Sequence, residues 1–491
     1  MRNNSMKSIM AGLFCILLLA VWGCSHSEEQ EQKGKTEGKD QPPLFIENKR
    51  EYIGSEKCKE CHWREYDSWK HTLHSKFMQL ADEFTVMGDF ERDNKLKVKV
   101  TRKAPTQTSK KTSTSLSEVD GKLILNTSSK LPRQPLGKEV TTTMRKKGRK
   151  YYVNTIGPDW QFHDYEVTAV IGINRKQNYL TRFPNGELHV LPIEWNLENQ
   201  KWNDFYGMET HFPGDGSFWS DRGRIWQFKC GSCHATGMKI NYDKATDSYA
   251  TTMVDMGIGC EACHGPGSTH VKAASTYYDF EKETIVNPAK LPWKLRAMVC
   301  GQCHNWGDST AKVDLEVAGF PQKYSFPYGY EVGKPLYLYF DEKPKEEKMH
   351  HQQYNEWQES PHAEAGVMCT TCHSVHREGG HKTQNKSQTK LAADNLCTSC
   401  HTSLQKKAAH RIHTFGSCIS CHMPKSTGHE HRHSFRFISP EESLKAGGVN
   451  KLMNSCSGCH YHKDTPLDGL IEFLDAVKKQ DMPKPFSAHF R

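Results

Sequence analysis

Eight copies of one five-residue motif, C-x-x-C-H, constrain the fold of this chain more than any other feature of its sequence. The 491 residues include 18 cysteines and 27 histidines, a composition that predicts about 0.04 such motifs by chance. The repetition therefore reflects a chemical requirement. The copies are Cys58–His62, Cys230–His234, Cys260–His264, Cys300–His304, Cys369–His373, Cys397–His401, Cys418–His422 and Cys456–His460.

This motif is the attachment signal of c-type haem, so we predict eight covalently bound haem c groups. In each copy the two thiols form thioethers to the porphyrin, and the following histidine binds the iron. The predicted attachment residues are Cys58, Cys61, Cys230, Cys233, Cys260, Cys263, Cys300, Cys303, Cys369, Cys372, Cys397, Cys400, Cys418, Cys421, Cys456 and Cys459. The predicted proximal ligands are His62, His234, His264, His304, His373, His401, His422 and His460.

Paired cysteines also occur in zinc ribbons and in disulfide frameworks. Neither alternative explains why a histidine follows every second cysteine. Outside the motifs the chain has only Cys15 and Cys24. No thiol therefore remains for a structural disulfide in the mature body.

The apolar content is low for a chain of this length, since only 36% of its residues are hydrophobic. We therefore expect the haems to form much of the interior, and the apoprotein to be largely unfolded. The formal net charge of +9 could suit nucleic-acid binding. However, each haem brings two propionates, which positive side chains neutralise, so we predict no nucleic-acid partner.

The first 50 residues predict export and a lipid anchor. A basic start and the apolar run 9–22 have the shape of a signal peptide, assigned to residues 1–23. The sequence Val21–Cys24 resembles a bacterial lipobox, with Cys24 as the lipidated residue; the alternative is an ordinary signal peptide. Residues 24–50 are polar and read as a flexible tether. These features predict an outer-membrane lipoprotein in the periplasm or at the cell surface.

The stretch 85–215 contains no attachment motif and has the pattern of β-structure. Apolar and polar residues alternate over 96–100. Asn185 and Gly186 lie between two apolar runs, a combination that favours a type I′ hairpin. We therefore predict a β-rich insertion that covers one side of the haem array.

The other segments are expected to be helical or irregular around the haems. Residues 51–84 form the first haem segment, 216–465 the multihaem domain with haems 2–8, and 466–491 a C-terminal helix and tail. The predicted fold class is thus α+β overall: mainly helices and loops around a packed eight-haem array, plus the β-rich insertion.

Histidines outside the motifs are numerous enough to give every iron a second axial ligand. Methionine is the other common sixth ligand, but the surplus of histidine favours bis-histidine coordination. His376 follows the proximal His373 by three residues, so we expect it to serve a neighbouring haem. The predicted second ligands are His74, His163, His270, His362, His376, His413, His433 and either His410 or His189.

Several segments resemble those of bacterial multihaem c-type cytochromes. The resemblance rests on Glu51–Ser55, His163–Val167, Gly259–Gly267 and His433–Phe435. It covers nearly the whole mature chain. It implies electron transfer with other redox proteins, often in periplasmic or cell-surface respiratory chains.

Residues 300–460 also resemble the haem module of ammonia-forming nitrite reductases and hydroxylamine oxidoreductases. The shared features are Ser360–His362 ahead of the fifth motif and Cys418–Pro424 around the seventh. In that group one haem is catalytic, and in nitrite reductases a lysine replaces its proximal histidine. Every motif here ends in histidine. If one iron were open, the resemblance points to the haem at Cys300–His304.

These observations predict an exported octahaem cytochrome that carries electrons. One alternative is an oxidoreductase with a single open haem, acting on nitrite, hydroxylamine or tetrathionate. Another is a subunit of a cytochrome filament, because a dense haem array could stack across subunits.

Overall fold

Antiparallel strands are the main regular structure in the described chain between the first two motifs. A computed structural model describes residues 50–91, 94–101, 113–119, 122–128, 139–276, 284–313, 323–343, 351–377, 388–391, 394–402, 417–425, 431–458 and 462–478. The strands of this stretch are β1 (Met78–Leu80), β2 (Asn94–Lys99), β3 (Ser113–Val119), β4 (Lys122–Ser128), β5 (Glu139–Lys147), β6 (Lys150–Ile156), β7 (Phe162–Glu166), β8 (Ala169–Ile171), β9 (Lys176–Arg182), β10 (Leu188–Asn196) and β11 (Lys201–Asp204).

The larger strands form two sheets. One has the order β1-β8-β9-β10-β11 and the other β2-β5-β6-β7, while β3 and β4 pair with each other; every neighbouring pair is antiparallel. Buried and partly exposed side chains alternate along β5 and β6, the period expected of a sheet covered on one face. Strand β10 is buried along most of its length, as expected for a sheet covered on both faces.

A shared apolar core joins the two sheets. It includes the fully buried Met144 and Val153 from one sheet and Leu191 from the other. Leu188 of the five-stranded sheet belongs to a second cluster, which contains Trp226, a residue just before the second motif. The five-stranded sheet is therefore the structural link between the β-rich region and the haem-attachment motifs.

The hairpin signal at Asn185-Gly186 does connect two strands, β9 and β10, but the predicted type I′ turn is wrong. Gly186 has a φ of 87° whereas Asn185 is not left-handed, and a type I′ turn needs both. The Gly186 N–H donates to the Phe183 carbonyl, and the Phe183 N–H to the Glu187 carbonyl. Pro184 has a fixed φ that favours the turn. The left-handed Gly186 completes a loop that is longer than a type I′ turn.

The other described residues form short helices, small strand pairs and loops. The strands are β12 (Ala235–Thr236), β13 (Tyr242–Asp243), β14 (Ser248–Tyr249), β15 (Asp255–Met256), β16 (Gly307–Ser309) and β17 (Phe340–Glu342). The α-helices are α1 (Ser55–Lys59), α2 (Trp63–Trp69), α3 (Trp226–Lys229), α4 (Gly231–His234), α5 (Cys260–His264), α6 (Ser268–Ser275), α7 (Trp293–Gly301), α8 (Gln353–Trp357), α9 (Pro361–Glu364), α10 (Cys369–Cys372), α11 (Asn395–Thr398), α12 (Cys418–His422), α13 (Pro440–Lys445) and α14 (Leu467–Lys478).

Helices and antiparallel sheets both contribute substantially, so the prediction of an α+β fold is confirmed. Strands cluster between the first two motifs, and most helices lie beside or within a motif. Apart from α14, the helices have nine residues or fewer. Helices of this length are marginal in isolation and depend on tertiary contacts for their stability.

We expect Leu191→Ala to lower the free energy of unfolding by about 2–5 kcal/mol, because it leaves a cavity in the core between the sheets. Leu191 is 0% exposed and does not line the cavity described below, so the haem absorption in native buffer should not change. Urea unfolding followed by circular dichroism measures the effect. The matched control is Leu80→Ala, at a leucine 65% exposed; equal losses in both variants would contradict the shared core.

Candidate haem-binding cavity

One continuous cavity of 4140 Å³ collects the attachment motifs. Ordinary ligand pockets measure about 300–1,000 Å³, so this space has room for several large cofactors. The cavity is lined by both cysteines and the histidine of each of the first seven motifs. Cys456 of the eighth motif lines it as well. Cys459 and His460 lie outside the described residues, as do Cys24, His410 and His413.

Each described motif places its two cysteines on one side of a single helical turn. Residues three apart in a helix share a face, so both thiols point toward the same edge of the cavity. The histidine completes the turn, because its N–H donates to the carbonyl of the first cysteine. This bond measures 2.8 Å in Cys58–His62, 3.0 Å in Cys300–His304, 2.9 Å in Cys369–His373 and 2.9 Å in Cys397–His401.

Thiols of different motifs contact each other. Burial raises the pKa of Cys263 and of Cys418 to about 12, so both are neutral at physiological pH. The contacting pairs are Cys58 and Cys260, Cys233 and Cys303, Cys300 and Cys369, and Cys397 and Cys418.

Five motif histidines face a second histidine across the cavity. A metal–imidazole bond is about 2 Å long and the ring centre lies about 1 Å further, so two imidazoles sharing one iron have centres about 6 Å apart. The observed centroid distances agree with that spacing. They are 6.3 Å for His62 and His270, 6.3 Å for His304 and His74, 6.1 Å for His264 and His376, 5.9 Å for His401 and His362, and 6.2 Å for His373 and His433.

Several of these rings are held with one nitrogen pointing into the cavity. The Nδ1 atom of His264 lies 2.9 Å from the Val286 carbonyl, and that of His433 lies 2.9 Å from the His431 carbonyl. Such a bond fixes the tautomer and leaves Nε2 for a metal. Burial lowers the pKa of His74 and of His433 to about 4, so both are neutral at pH 7, the form that binds iron.

Two histidines predicted as ligands lie elsewhere, in the β-rich region. His163 Nε2 is 2.9 Å from an Asp159 carboxylate oxygen. His189 is fully buried, with Nδ1 3.0 Å from the Trp219 carbonyl and Nε2 3.2 Å from Glu187. Neither lines the cavity. Sequence position alone could not show that these rings already have carboxylate partners inside a sheet.

Two histidines that line the cavity were not among the predicted second ligands, and they share one geometry. His351 Nδ1 is 2.8 Å from the Asn305 carbonyl, and His431 Nδ1 is 2.7 Å from the Met423 carbonyl. Asn305 and Met423 each directly follow a motif histidine. In both rings a bond from Nδ1 to a backbone carbonyl gives the orientation typical of metal-binding histidines. The sequence did not show that His351 lies close to a motif in space.

His234 and His422 complete the described motif histidines. The His234 ring stacks on Phe77, with centroids 4.6 Å apart, and lies 6.4 Å from Trp226. His422 closes helix α12 and lines the cavity.

A buried carboxylate anchors the start of the described chain to the third motif. Glu261, inside the Cys260–His264 motif, accepts the N–H groups of Ile53 (3.0 Å), Gly54 (2.7 Å) and Gly267 (2.7 Å). Its exposure is only 1%. A carboxylate that receives several backbone N–H bonds is well satisfied when buried, so Glu261 is a structural junction between two haem segments.

A second carboxylate extends this junction. Asp255 accepts the N–H of Ser55 and also its hydroxyl, the latter at 2.8 Å. The Ser55 Oγ in turn accepts the N–H of Cys260 at 2.9 Å. The first and third motifs are thereby held together by hydrogen bonds as well as by the contact between their thiols.

Comparison with known proteins agrees with this site. A family model for cytochrome c554 and c-prime matches residues 57–129 and 221–265, which include the first three motifs. The chain is 25% identical over 231 residues to a cytochrome c-552 of Bacteroides fragilis, covering 42% of this chain and 45% of the relative. It is also 25% identical over 242 residues to the cytochrome c nitrite reductase subunit NrfA of Nitratidesulfovibrio vulgaris, covering 41% and 44%. The chain thus matches less than half the length of either relative.

A solved structure has the same overall fold. The outer cell wall cytochrome OcwA superposes with a TM-score of 0.56 over 87% of both chains, at 20% identity. Helical turns that present paired cysteines and a histidine to a shared cavity define a c-type cytochrome, which binds haem covalently. The chain is thus similar in sequence to known c-type cytochromes and in fold to a cytochrome of the outer cell wall.

We expect Glu261→Gln to destabilise the junction by about 1–3 kcal/mol, because the amide nitrogen would face a backbone N–H and leave it without an acceptor. Urea unfolding measures the loss, and limited proteolysis near Ile53 should accelerate. Glu364→Gln, at an exposed glutamate, is the matched control. If both variants unfold and digest alike, Glu261 is not an anchor.

Proposed function

We propose that this protein is an exported octahaem cytochrome that passes single electrons among respiratory redox proteins. The observation that carries the proposal is the set of five motif histidines that face another histidine at 5.9–6.3 Å. Two imidazoles on one iron fill both axial positions, which favours electron exchange over the binding of small molecules. Haem iron supplies reversible one-electron redox chemistry when bound.

The arrangement of the histidines supports conduction from haem to haem. His376 lies three residues after the proximal His373 but faces His264, the histidine of another motif. One short segment therefore contributes to two haem sites. Thiol contacts between motifs, such as Cys300 with Cys369, bring the attachment edges of neighbouring macrocycles together. Close edges favour rapid transfer between haems.

The proposed location is extracytoplasmic, with a lipid on Cys24. It is supported by the signal-peptide pattern of residues 1–23 and by the likeness in fold to a cytochrome described as belonging to the outer cell wall. Within the described ranges, no helix combines the length and the apolarity that a bilayer crossing requires.

An enzymatic role would require an iron with an open axial position. The resemblance to nitrite reductases and hydroxylamine oxidoreductases points to the haem at Cys300–His304. There, His74 lies 6.3 Å from His304, the spacing of a second ligand. This placement favours the carrier over a reductase that works at that haem.

We expect oxidised protein to show only low-spin haem signals in low-temperature electron paramagnetic resonance. The physical reason is that two imidazoles give a strong axial field on ferric iron. Haem content, measured by pyridine haemochrome against protein mass, should be eight per chain. A stoichiometric high-spin haem would falsify the pure carrier, and a lower haem content would contradict the octahaem assignment.

We expect His376→Ala to convert one haem to the high-spin state while the haem content stays unchanged. The thioethers and the proximal His264 remain in this variant, so only the second ligand is lost. Added imidazole should restore the low-spin signal by entering the vacated position.

The matched control is His163→Ala, because the structure places His163 on Asp159 in the β-rich region. This control should leave every haem low-spin. A high-spin haem in His163→Ala, or none in His376→Ala, would overturn the ligand assignment drawn from the structure.

A further inference from the structure

The five opposed histidine pairs fall into two classes by the angle between their ring planes. In three pairs the planes are nearly parallel and in two they are nearly perpendicular. The near-parallel pairs are His62 with His270 at 21°, His264 with His376 at 13° and His373 with His433 at 29°. The near-perpendicular pairs are His304 with His74 at 85° and His401 with His362 at 88°.

One aromatic side chain contacts a member of each class. The Phe435 ring lies 4.3 Å from the His362 ring at 71°, and 5.7 Å from the His433 ring at 78°. Both contacts are edge-to-face, the preferred geometry of aromatic pairs. A ring held edge-on to an imidazole restricts rotation of that imidazole about its own axis. Phe435 therefore restricts two ligands at once.

The backbone at Phe435 is unusual in a way that suits this role. Its φ is 53°, in the left-handed region that bulky residues rarely adopt. Such a conformation persists only where the surroundings impose it, and it is frequent at functional sites. Glycine and asparagine adopt this left-handed backbone conformation more readily than phenylalanine does. A phenylalanine held in this conformation points to a role for its ring.

The surroundings of Phe435 are fixed on both sides. The His433 N–H donates to the Glu356 carboxylate at 2.7 Å, which ties the segment to helix α8. Downstream, Ile438 exchanges hydrogen bonds with Ser455, at 3.0 Å and 2.9 Å. The Phe435 ring packs against the buried cluster that contains Trp357. The ring thus has a rigid backing from which to orient the two imidazoles.

We propose that Phe435 is a positioning residue that sets the ring planes of two axial ligands, His362 and His433. It holds His362 perpendicular to His401 and His433 nearly parallel to His373. This inference rests on the proposed bis-histidine function. The angle between two axial imidazoles sets the energy difference between the two iron d orbitals that share the unpaired electron. Two haems with identical ligands are therefore made electronically different by one phenylalanine.

Low-temperature electron paramagnetic resonance tests this proposal, because the angle between ligand planes shapes the low-spin signal. Near-parallel planes give a rhombic signal, and near-perpendicular planes give a signal with a large maximal g value. Wild-type protein should show both. Phe435→Asn keeps a residue that tolerates the left-handed backbone but removes the ring. It should lose the contribution of one haem to the large-g signal, since Phe435 contacts one of the two near-perpendicular pairs found among the described residues.

The conservative variant Phe435→Tyr keeps the ring and should retain the wild-type spectrum. Haem content and the thermal midpoint of each variant are measured in parallel. An unchanged spectrum in Phe435→Asn, with only a lower midpoint, would show that Phe435 merely packs and would overturn the proposal. A high-spin signal in the wild type at these sites would instead overturn the proposed function, so the two failures are distinguishable.

Discussion

A bis-histidine iron needs imidazoles on both faces of one macrocycle, and a C-x-x-C-H motif supplies only one of them. The second must come from another part of the chain. His62 faces His270, which lies hundreds of residues later in the sequence. His373 faces His433, which lies tens of residues later. In the proposed bis-histidine sites, every haem is therefore a cross-link between segments. We expect the fold and the proposed haem array to depend on each other, because this chain has few apolar side chains with which to build a core alone.

Buried and partly buried carboxylates hold together the segments that carry the candidate haem ligands. Glu261 and Asp255 hold the first motif to the third through backbone N–H groups. Glu356 does the same for the segment that carries His433. Backbone donors that would otherwise be costly to bury are thereby satisfied within the irregular loops. These contacts explain how a chain of short helices maintains ring positions accurately.

The sequence was a good guide wherever the chemistry is local. The attachment motifs, the strands between the first two motifs and the connection through Asn185-Gly186 all follow from short patterns. It was a poorer guide to turn type, since the backbone of Asn185 depends on Pro184 and on the flanking strands. The contacts of the histidine rings were harder still to predict from the sequence. His163 and His351 look alike as isolated histidines, but one is paired with Asp159 and the other lines the cavity.

The sequence by itself predicts which residues attach haem, because two thiols followed by a histidine at this spacing are the attachment signal of c-type haem. It also determined the α+β character, through period-two alternation in one region and motif-centred turns in the other. Only the tertiary structure decided which histidine faces which, at what angle, and what holds each ring. These relations join residues that are distant along the chain. They arise from packing, in which side chains such as Phe435 act on several ligands at once, and no local pattern encodes that geometry.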